Sequence, residues 1–278
     1  MSFKSLLVFA DDSDASAQRV DNAIALAGQF GGHLTAIAVA EKPAYYYGIG
    51  TEVAADVYAE DVERAKVLAR RVADAAEAQL AEGGHDGGAR STTGTLAIVA
   101  EIAARHARYA DLAFVGQPFE SPQQPLMTKV FEGVLFDSGR PFVMLPRNWT
   151  PGVIGKRIMV AWAPRREAAR AVADAIPLIE TAETVHVAMV DPDIGEDAHG
   201  EEPGADLAAA LARHDVEVDA LPSAGQSVAG RLLTHAADCN ADLIVMGGYG
   251  HWSLRETLFG GVTRDIVRDS ALPLLLAH

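Results

Sequence analysis

The sequence is poor in several features that define whole classes of proteins. Its 278 residues include one cysteine, Cys239, which excludes disulfides within the chain and is typical of a reducing cytosol. No apolar run approaches the length that a membrane span needs. Basic residues are outnumbered 23 to 38, and the formal charge of −15 disfavours nucleic acids and anionic membrane surfaces as partners. We therefore expect a cytoplasmic protein that binds neither nucleic acid nor membranes.

Sets of catalytic residues and metal ligands are also lacking. No pair of carboxylates, no nucleophile with a neighbouring base and no Cys/His cluster stands out at a useful spacing. The run Asp11-Asp12-Ser13 could suggest Mg²⁺, but Asp and Ser before a helix are typical N-cap residues. We expect no catalytic residues, no metal site and no enzyme activity.

Glycine is abundant, and in the last fifth of the chain its spacing is informative. The apolar run from Leu243 to Met246 predicts a buried parallel strand, which Gly247 and Gly250 follow; nine residues then precede Gly260. Glycine lets backbone N–H groups turn towards an anion, and a helix that starts near Val262 would present its free N–H groups to the same point. The spacing is compatible with a phosphate-binding loop or with a tight turn between strand and helix. It matches neither the Walker A nor the dinucleotide fingerprint.

An internal duplication organises the whole chain. Each half begins with a strand-like run, residues 6–10 and 158–162, followed by a helical pattern, residues 15–30 and 167–179. Displaced by 152 residues, five apolar residues of the first helix fall on identical residues of the second: Ala17, Val20, Ala23, Ile24 and Leu26 on Ala169, Val172, Ala175, Ile176 and Leu178. Strands that alternate with helices predict parallel sheets with right-handed crossovers.

Later in each half, corresponding positions are 131 rather than 152 residues apart. At this spacing Ala110-Asp111-Leu112 corresponds to Ala241-Asp242-Leu243. The difference places an insertion in the first half, residues 41–95, which contains Tyr45-Tyr46-Tyr47 and a long helix over about 52–82. We interpret the insertion as a scaffold helix with a solvated, charged side; the tyrosines could instead form a lid or a contact surface. We read residues 83–88 as a flexible loop, residues 1–148 and 156–278 as two domains, and residues 149–155 as their linker.

The duplicated layout and the spacing Gly247-x-x-Gly250-x9-Gly260 resemble the universal stress protein family in its tandem form. The resemblance covers nearly the whole chain and implies an α/β fold. Each of two tandem Rossmann-like domains, of the adenine nucleotide alpha hydrolase-like type, would have an open five-stranded parallel sheet with helices on both faces. Family members pair through their last strands, so the two halves could form an internal pseudo-dimer, and the protein a monomer or a homodimer.

The resemblance also implies an adenine nucleotide as ligand, in the second half. In the ATP-binding branch of the family, the end of the second strand contacts the base and the glycine motif holds the phosphates. The corresponding residues here are Ala161, Trp162, Val190, Met246, Gly247, Gly250, Gly260, Gly261, Val262 and Thr263. ATP, with Mg²⁺, is the favoured ligand, and slow ATP hydrolysis stays open.

The second half departs from the family pattern at two positions. Gly261 stands where a hydroxyl is expected, and a lost bond to a charged group costs about 1.5–3 kcal/mol. Ala163 stands where an Asp is expected. In the first half Asp11 is in place, but prolines and Glu120 follow Gly116, so we expect its motif to be degenerate. The leading hypothesis is an ATP-binding regulatory protein of the stress response. The alternative is an interaction protein of the same fold that binds no nucleotide.

Overall fold

A computed structural model describes residues 2–44, 52–85, 87–118, 125–150, 152–192, 205–211, 216–248 and 261–278. The chain divides into two compact units, residues 2–151 and 152–278, and the division falls inside the stretch that the sequence marks as a linker. Among the described residues, no helix combines the length and apolar character needed to cross a bilayer. The tyrosine run at 45–47, for which we considered a lid or a contact surface, lies outside the described residues.

The first unit is a five-stranded parallel sheet in the order β3-β2-β1-β4-β5. Helix α1 packs against α2, and α3 packs against α4. Its elements are β1 (Ser5–Ala10), α1 (Asp14–Phe30), β2 (His33–Glu41), α2 (Glu52–Glu82), β3 (Gly87–Gly94), α3 (Leu96–Ala107), β4 (Leu112–Gly116), α4 (Leu126–Asp137) and β5 (Phe142–Leu145).

The second unit repeats this layout, with the order β8-β7-β6-β9-β10. Helix α5 packs on β9 and β10, α6 on β8, and α7 on both β7 and α8. Its elements are β6 (Arg157–Ala161), α5 (Arg166–Ile179), β7 (Thr184–Val190), α6 (Ala205–Leu211), β8 (Val216–Leu221), α7 (Val228–Asp238), β9 (Leu243–Gly247), α8 (Gly261–Asp269) and β10 (Leu274–Ala277).

Several strands are buried on both faces. Residues 6–10 of β1 and all of β4 are buried, as are β5 and β10 along their whole length. Successive strand residues point to opposite sides, so continuous burial requires cover on both faces of each sheet. The prediction of a tandem α/β fold with helices on both faces is therefore confirmed.

The prediction of a flexible loop over residues 83–88 is wrong at Gly87 and Gly88, which begin the edge strand β3. This strand pairs with β2 along its length, but its polar, glycine-rich sequence carries no strand signal. Gly87 is required by its neighbour, because a Cβ there would lie 2.3 Å from the Leu34 carbonyl oxygen. Close contact across the sheet, rather than loop flexibility, explains this glycine.

The repeated aspartate of the two Ala-Asp-Leu segments ties neighbouring strands together. The buried Asp242 carboxylate accepts backbone N–H bonds from Gly155 (2.7 Å), Lys156 (3.0 Å) and Arg157 (3.0 Å), where β6 begins. Asp111 accepts two such bonds, from Lys4 (2.8 Å) and Ser5 (2.9 Å), at the start of β1. The aspartate is therefore a structural residue in both units.

We expect the substitution D242A to lower the free energy of unfolding of the second unit by roughly 3 kcal/mol, because three N–H groups lose their acceptor in a buried place. The matched substitution D111A leaves two groups with better access to water and is expected to cost about 1 kcal/mol. Urea denaturation of the two variants and the wild type measures the difference. Equal losses would contradict this account.

Candidate functional site

Most of the residues predicted to bind the nucleotide lie at one edge of the second unit. Ala161 and Trp162 lie at the end of β6, Val190 ends β7 and Gly247 ends β9. Because the strands are parallel, their carboxyl ends meet at the same edge, where open α/β sheets usually bind ligands. Helix α8 ends shortly before β10 begins, so its first residues point back towards this edge.

The predicted nucleotide-binding residues differ in how far they are exposed. Ala161, Trp162, Val190 and Gly247 are half-buried, whereas Met246 is buried within β9 and contributes to the core. At the head of α8, Gly261 and Val262 are exposed and Thr263 is half-buried. Gly250 and Gly260 lie outside the described residues.

Gly247 has a packing role that the motif does not reveal. A Cβ at this position would lie 2.5 Å from the Ala168 backbone nitrogen and 2.6 Å from the Glu167 carbonyl carbon. The first turn of α5 therefore approaches the end of β9 so closely that only glycine fits. The N–H group of the next residue, Gly248, is already donated to the Ala277 carbonyl oxygen at 2.8 Å.

Glu167, a residue that the sequence did not single out, lies beside Gly247. It is buried, and its Oε1 accepts a bond from Arg166 Nε at 2.5 Å. Burial opposes its ionisation, but the bonds from Arg166 and from its own backbone N–H and the charges of Arg166 and His278 outweigh burial and lower the pKa of Glu167. The carboxylate is therefore ionised at neutral pH and forms an ion pair with Arg166.

Gly261 is different from Gly247, because no described residue occupies its Cβ position. Within the part of the chain that the structure describes, no heavy atom lies within 4 Å of a Cβ built there. A serine or an aspartate could therefore replace Gly261 without a clash. Ala163, which stands where the family has an Asp, is exposed just beyond β6.

Helix α8 carries two arginines, and one of them is engaged within the helix. Arg268 pairs with Asp269 at 2.7 Å and with Asp265 at 3.3 Å, whereas Arg264 is exposed.

Cys239 is half-buried, and burial raises the pKa of its thiol. A thiol with a raised pKa is a poor nucleophile.

The equivalent edge of the first unit holds a cleft of about 260 Å³. It is lined mainly by the loop after β1, the ends of β2 and β4, and the start of α4, including Asp11, Ser13, Arg19, Gln117, Thr128 and Arg147. The sequence predicts a degenerate glycine motif in this half. The cleft has the position of a ligand site, but Gly116 is followed by Gln117 and Pro118 rather than by a glycine loop.

A buried ion pair occupies the floor of this cleft. Arg19 Nη2 lies 3.2 Å from Asp11 Oδ2, and the two side chains are 3% and 11% exposed. Arg19 Nε donates to the Phe9 carbonyl oxygen at 2.7 Å, and Asp11 accepts from Ser13 N at 3.0 Å. A Cβ at Gly116 would lie 2.4 Å from Arg19 Nη1, so the guanidinium fills the space beside this glycine.

The ion pair also affects the protonation of Asp11. Burial opposes ionisation, but the positive charge of Arg19 and the bonds from Ser13 outweigh burial and hold the pKa of Asp11 below its usual value. In the second unit Arg19 corresponds, at a displacement of 152, to the fully buried Ala171. The two units therefore differ at the place where a phosphate-binding glycine would act.

The sequence profile of the Universal stress protein family matches residues 155–278. No curated protein matches the chain. Among solved structures, a universal stress protein from Archaeoglobus fulgidus is 19% identical, with 98% of this chain and 95% of that chain covered and a TM-score of 0.69. A functionally unknown protein from Pseudomonas aeruginosa PAO1 is 15% identical, with 99% and 92% covered and a TM-score of 0.57.

These comparisons agree with the resemblance that the sequence motifs carry. The second half of the chain, residues 155–278, matches the universal stress protein family. At these low identities the likeness to complete solved structures shows the fold, and it extends over nearly the whole chain, so both halves share in it.

We expect the substitution D11N to lower the free energy of unfolding of the first unit by about 3 kcal/mol, because Arg19 would keep its charge in a buried place without a counter-ion. The double variant D11N/R19M removes both charges and should recover most of that loss. Urea denaturation of the three proteins measures this. A double variant no more stable than D11N would show that the pair itself, rather than the unpaired charge, decides the cost.

The same pair predicts a pH dependence. A carboxyl whose pKa is lower in the folded state contributes stability that is present above its unfolded pKa, near 3.8, and is lost as the pH falls through the folded pKa. The stability difference between wild type and D11N should therefore be constant at neutral pH and shrink as the pH falls below about 4. A difference that is unchanged down to acid unfolding would contradict the assignment.

Proposed function

We propose that the protein binds an adenine nucleotide in its second unit and acts as a regulatory protein in the stress response. ATP with Mg²⁺ is the favoured ligand, and turnover is slow or absent. One observation carries the proposal: the head of α8 faces the carboxyl edge, and no described residue occupies the Cβ position of Gly261, in the part of the chain that matches the family. The first N–H groups of a helix have no partner within the helix, and the helix dipole favours an anion there.

The half-buried residues at the ends of β6 and β7 support a place for the base. Ala161, Trp162 and Val190 present apolar surface at the edge, and ligand pockets are lined mainly by apolar and aromatic groups. The backbone of α5 fills the space beside Gly247. We therefore place the phosphates towards Gly261 and Thr263 at the head of α8, with Gly247 serving the packing of α5.

The alternative is an interaction protein of the same fold that has lost the nucleotide. Ala163 in place of an Asp favours this alternative. Substitution of Gly247 does not separate the two hypotheses, because any side chain would displace α5. Gly261 does separate them, since none of the described residues fills its side-chain position.

We expect G261S to restore the hydroxyl of the family pattern and to tighten ATP binding about tenfold, the effect of one bond to a charged group. A ligand that binds only the folded state raises the melting temperature. Thermal denaturation with and without MgATP should therefore give a shift for wild type and a larger shift for G261S. No shift in either protein at millimolar MgATP would favour the interaction protein.

G261D is the matched control variant. An acidic residue in the first turn of a helix adds about 0.3–1 kcal/mol of stability, so the melting temperature without ligand should be unchanged or slightly higher. Its charge would repel phosphate, so the shift with MgATP should disappear. Loss of binding without loss of stability excludes misfolding as the cause, and a G261D variant that binds as the wild type does would place the phosphates elsewhere.

A further inference from the structure

Three side chains of metal-ligand type converge on one face of the second unit. His186 lies on β7, Asp219 on β8 and His235 on α7. They are separated by 33 and 16 residues along the chain, so no local spacing connects them. His186 is the third residue of the seven in β7, so the cluster lies on the face of the sheet and away from its carboxyl edge.

Strand register explains why the three residues meet. His186 is paired with Glu217, and Ala188 with Asp219, so Asp219 lies two residues beyond the partner of His186 and on the same face. Helix α7 packs on β7, and its buried residues Leu232 and Ala236 hold His235 above this face. The register of β7 and β8 and the packing of α7 therefore determine where the three side chains lie.

The distances are those of a ligand set. Asp219 Oδ2 lies 3.4 Å from His186 Nδ1 and 3.2 Å from His235 Nε2, and the three atoms all lie within 4.8 Å of one another. Tetrahedral ligands about 2.1 Å from a zinc ion are themselves about 3.4 Å apart. A charge-assisted hydrogen bond would be shorter, at about 2.8 Å. A small inward movement of the imidazoles would place the three ligand atoms at three corners of a tetrahedron around a metal ion.

Burial and donor type point to the kind of ion. The two imidazoles are 17% and 13% exposed, whereas the Asp219 side chain is 36% exposed and leaves a path for entry. Two nitrogens and one carboxylate oxygen suit Zn²⁺ and similar transition-metal ions rather than Mg²⁺ or Ca²⁺, which take oxygen ligands. The net charge of −15 attracts cations to the surface.

We propose that His186 Nδ1, Asp219 Oδ2 and His235 Nε2 bind a divalent transition-metal ion of the Zn²⁺ class, with water in the fourth position. Cys239 follows His235 by one helical turn, but its thiol does not lie within 4.8 Å of all three ligand atoms, so it is not a ligand. A bound ion joins the edge strand β8 to β7 and α7. This site is independent of the nucleotide proposed at Gly261.

The test uses the full chain, freed of metal by a chelator and titrated with ZnCl₂ in a calorimeter. We expect one Zn²⁺ per chain and a rise in melting temperature on binding. The substitutions H186Q, D219N and H235Q should each weaken the affinity by about 100-fold or more, since even the loss of an outer-shell partner costs 10- to 100-fold. D219N keeps the shape of the side chain, so it reports on ligation even if a histidine variant folds poorly.

Two control variants complete the experiment. H33Q removes an exposed histidine of the first unit, and C239S removes the nearby thiol; both should bind Zn²⁺ as the wild type does. Co²⁺ in place of Zn²⁺ should give the visible absorption of a tetrahedral nitrogen and oxygen site, without a thiolate charge-transfer band. No binding by the wild type, full binding by the three ligand variants, or loss of binding in C239S would overturn the proposal.

Discussion

The constraint on which both units depend is the pairing of backbone groups in buried parallel strands. Strands such as β1 and β4 are covered on both faces, so their N–H and C=O groups can be satisfied only by neighbouring strands. Parallel neighbours require helical crossovers, and the crossovers bring all carboxyl ends to one edge. The buried Asp242 belongs to the same system, because it accepts the N–H groups at the start of β6. At this edge the two units differ in sequence while they keep the same strand order.

The two units differ in what packs beside the glycine that ends β4 and the glycine that ends β9. In the first unit Arg19 fills the space beside Gly116 and pairs with Asp11. In the second unit the corresponding Ala171 leaves this space to the backbone of α5, which packs directly on Gly247. The space beside Gly116 is thus filled by the Arg19–Asp11 ion pair, whereas the space beside Gly247 is filled by the backbone of α5. The first unit retains a cleft with charged walls, whereas the second retains the open head of α8.

Much of the fold could be predicted from the sequence, because apolar periodicity and the duplication are local signals. The edge strand β3 could not, since its polar residues are placed by pairing with β2. At the site, sequence identified Gly247 and Gly261 but could not distinguish a glycine required by packing from one with open space. Nor could it bring His186 and His235 together, because only the register of β7 and β8 and the packing of α7 place them on one face.

The central claim is that one of the two copies binds a nucleotide. Isothermal titration calorimetry of the full chain with MgATP tests it most directly, because its stoichiometry gives the number of copies that bind. The account predicts one nucleotide per chain, and none for the G261D variant, whose substitution lies in the second unit. Two nucleotides per chain would show that the first unit's cleft also binds, and no heat at millimolar MgATP would show that neither does; either result would contradict the account.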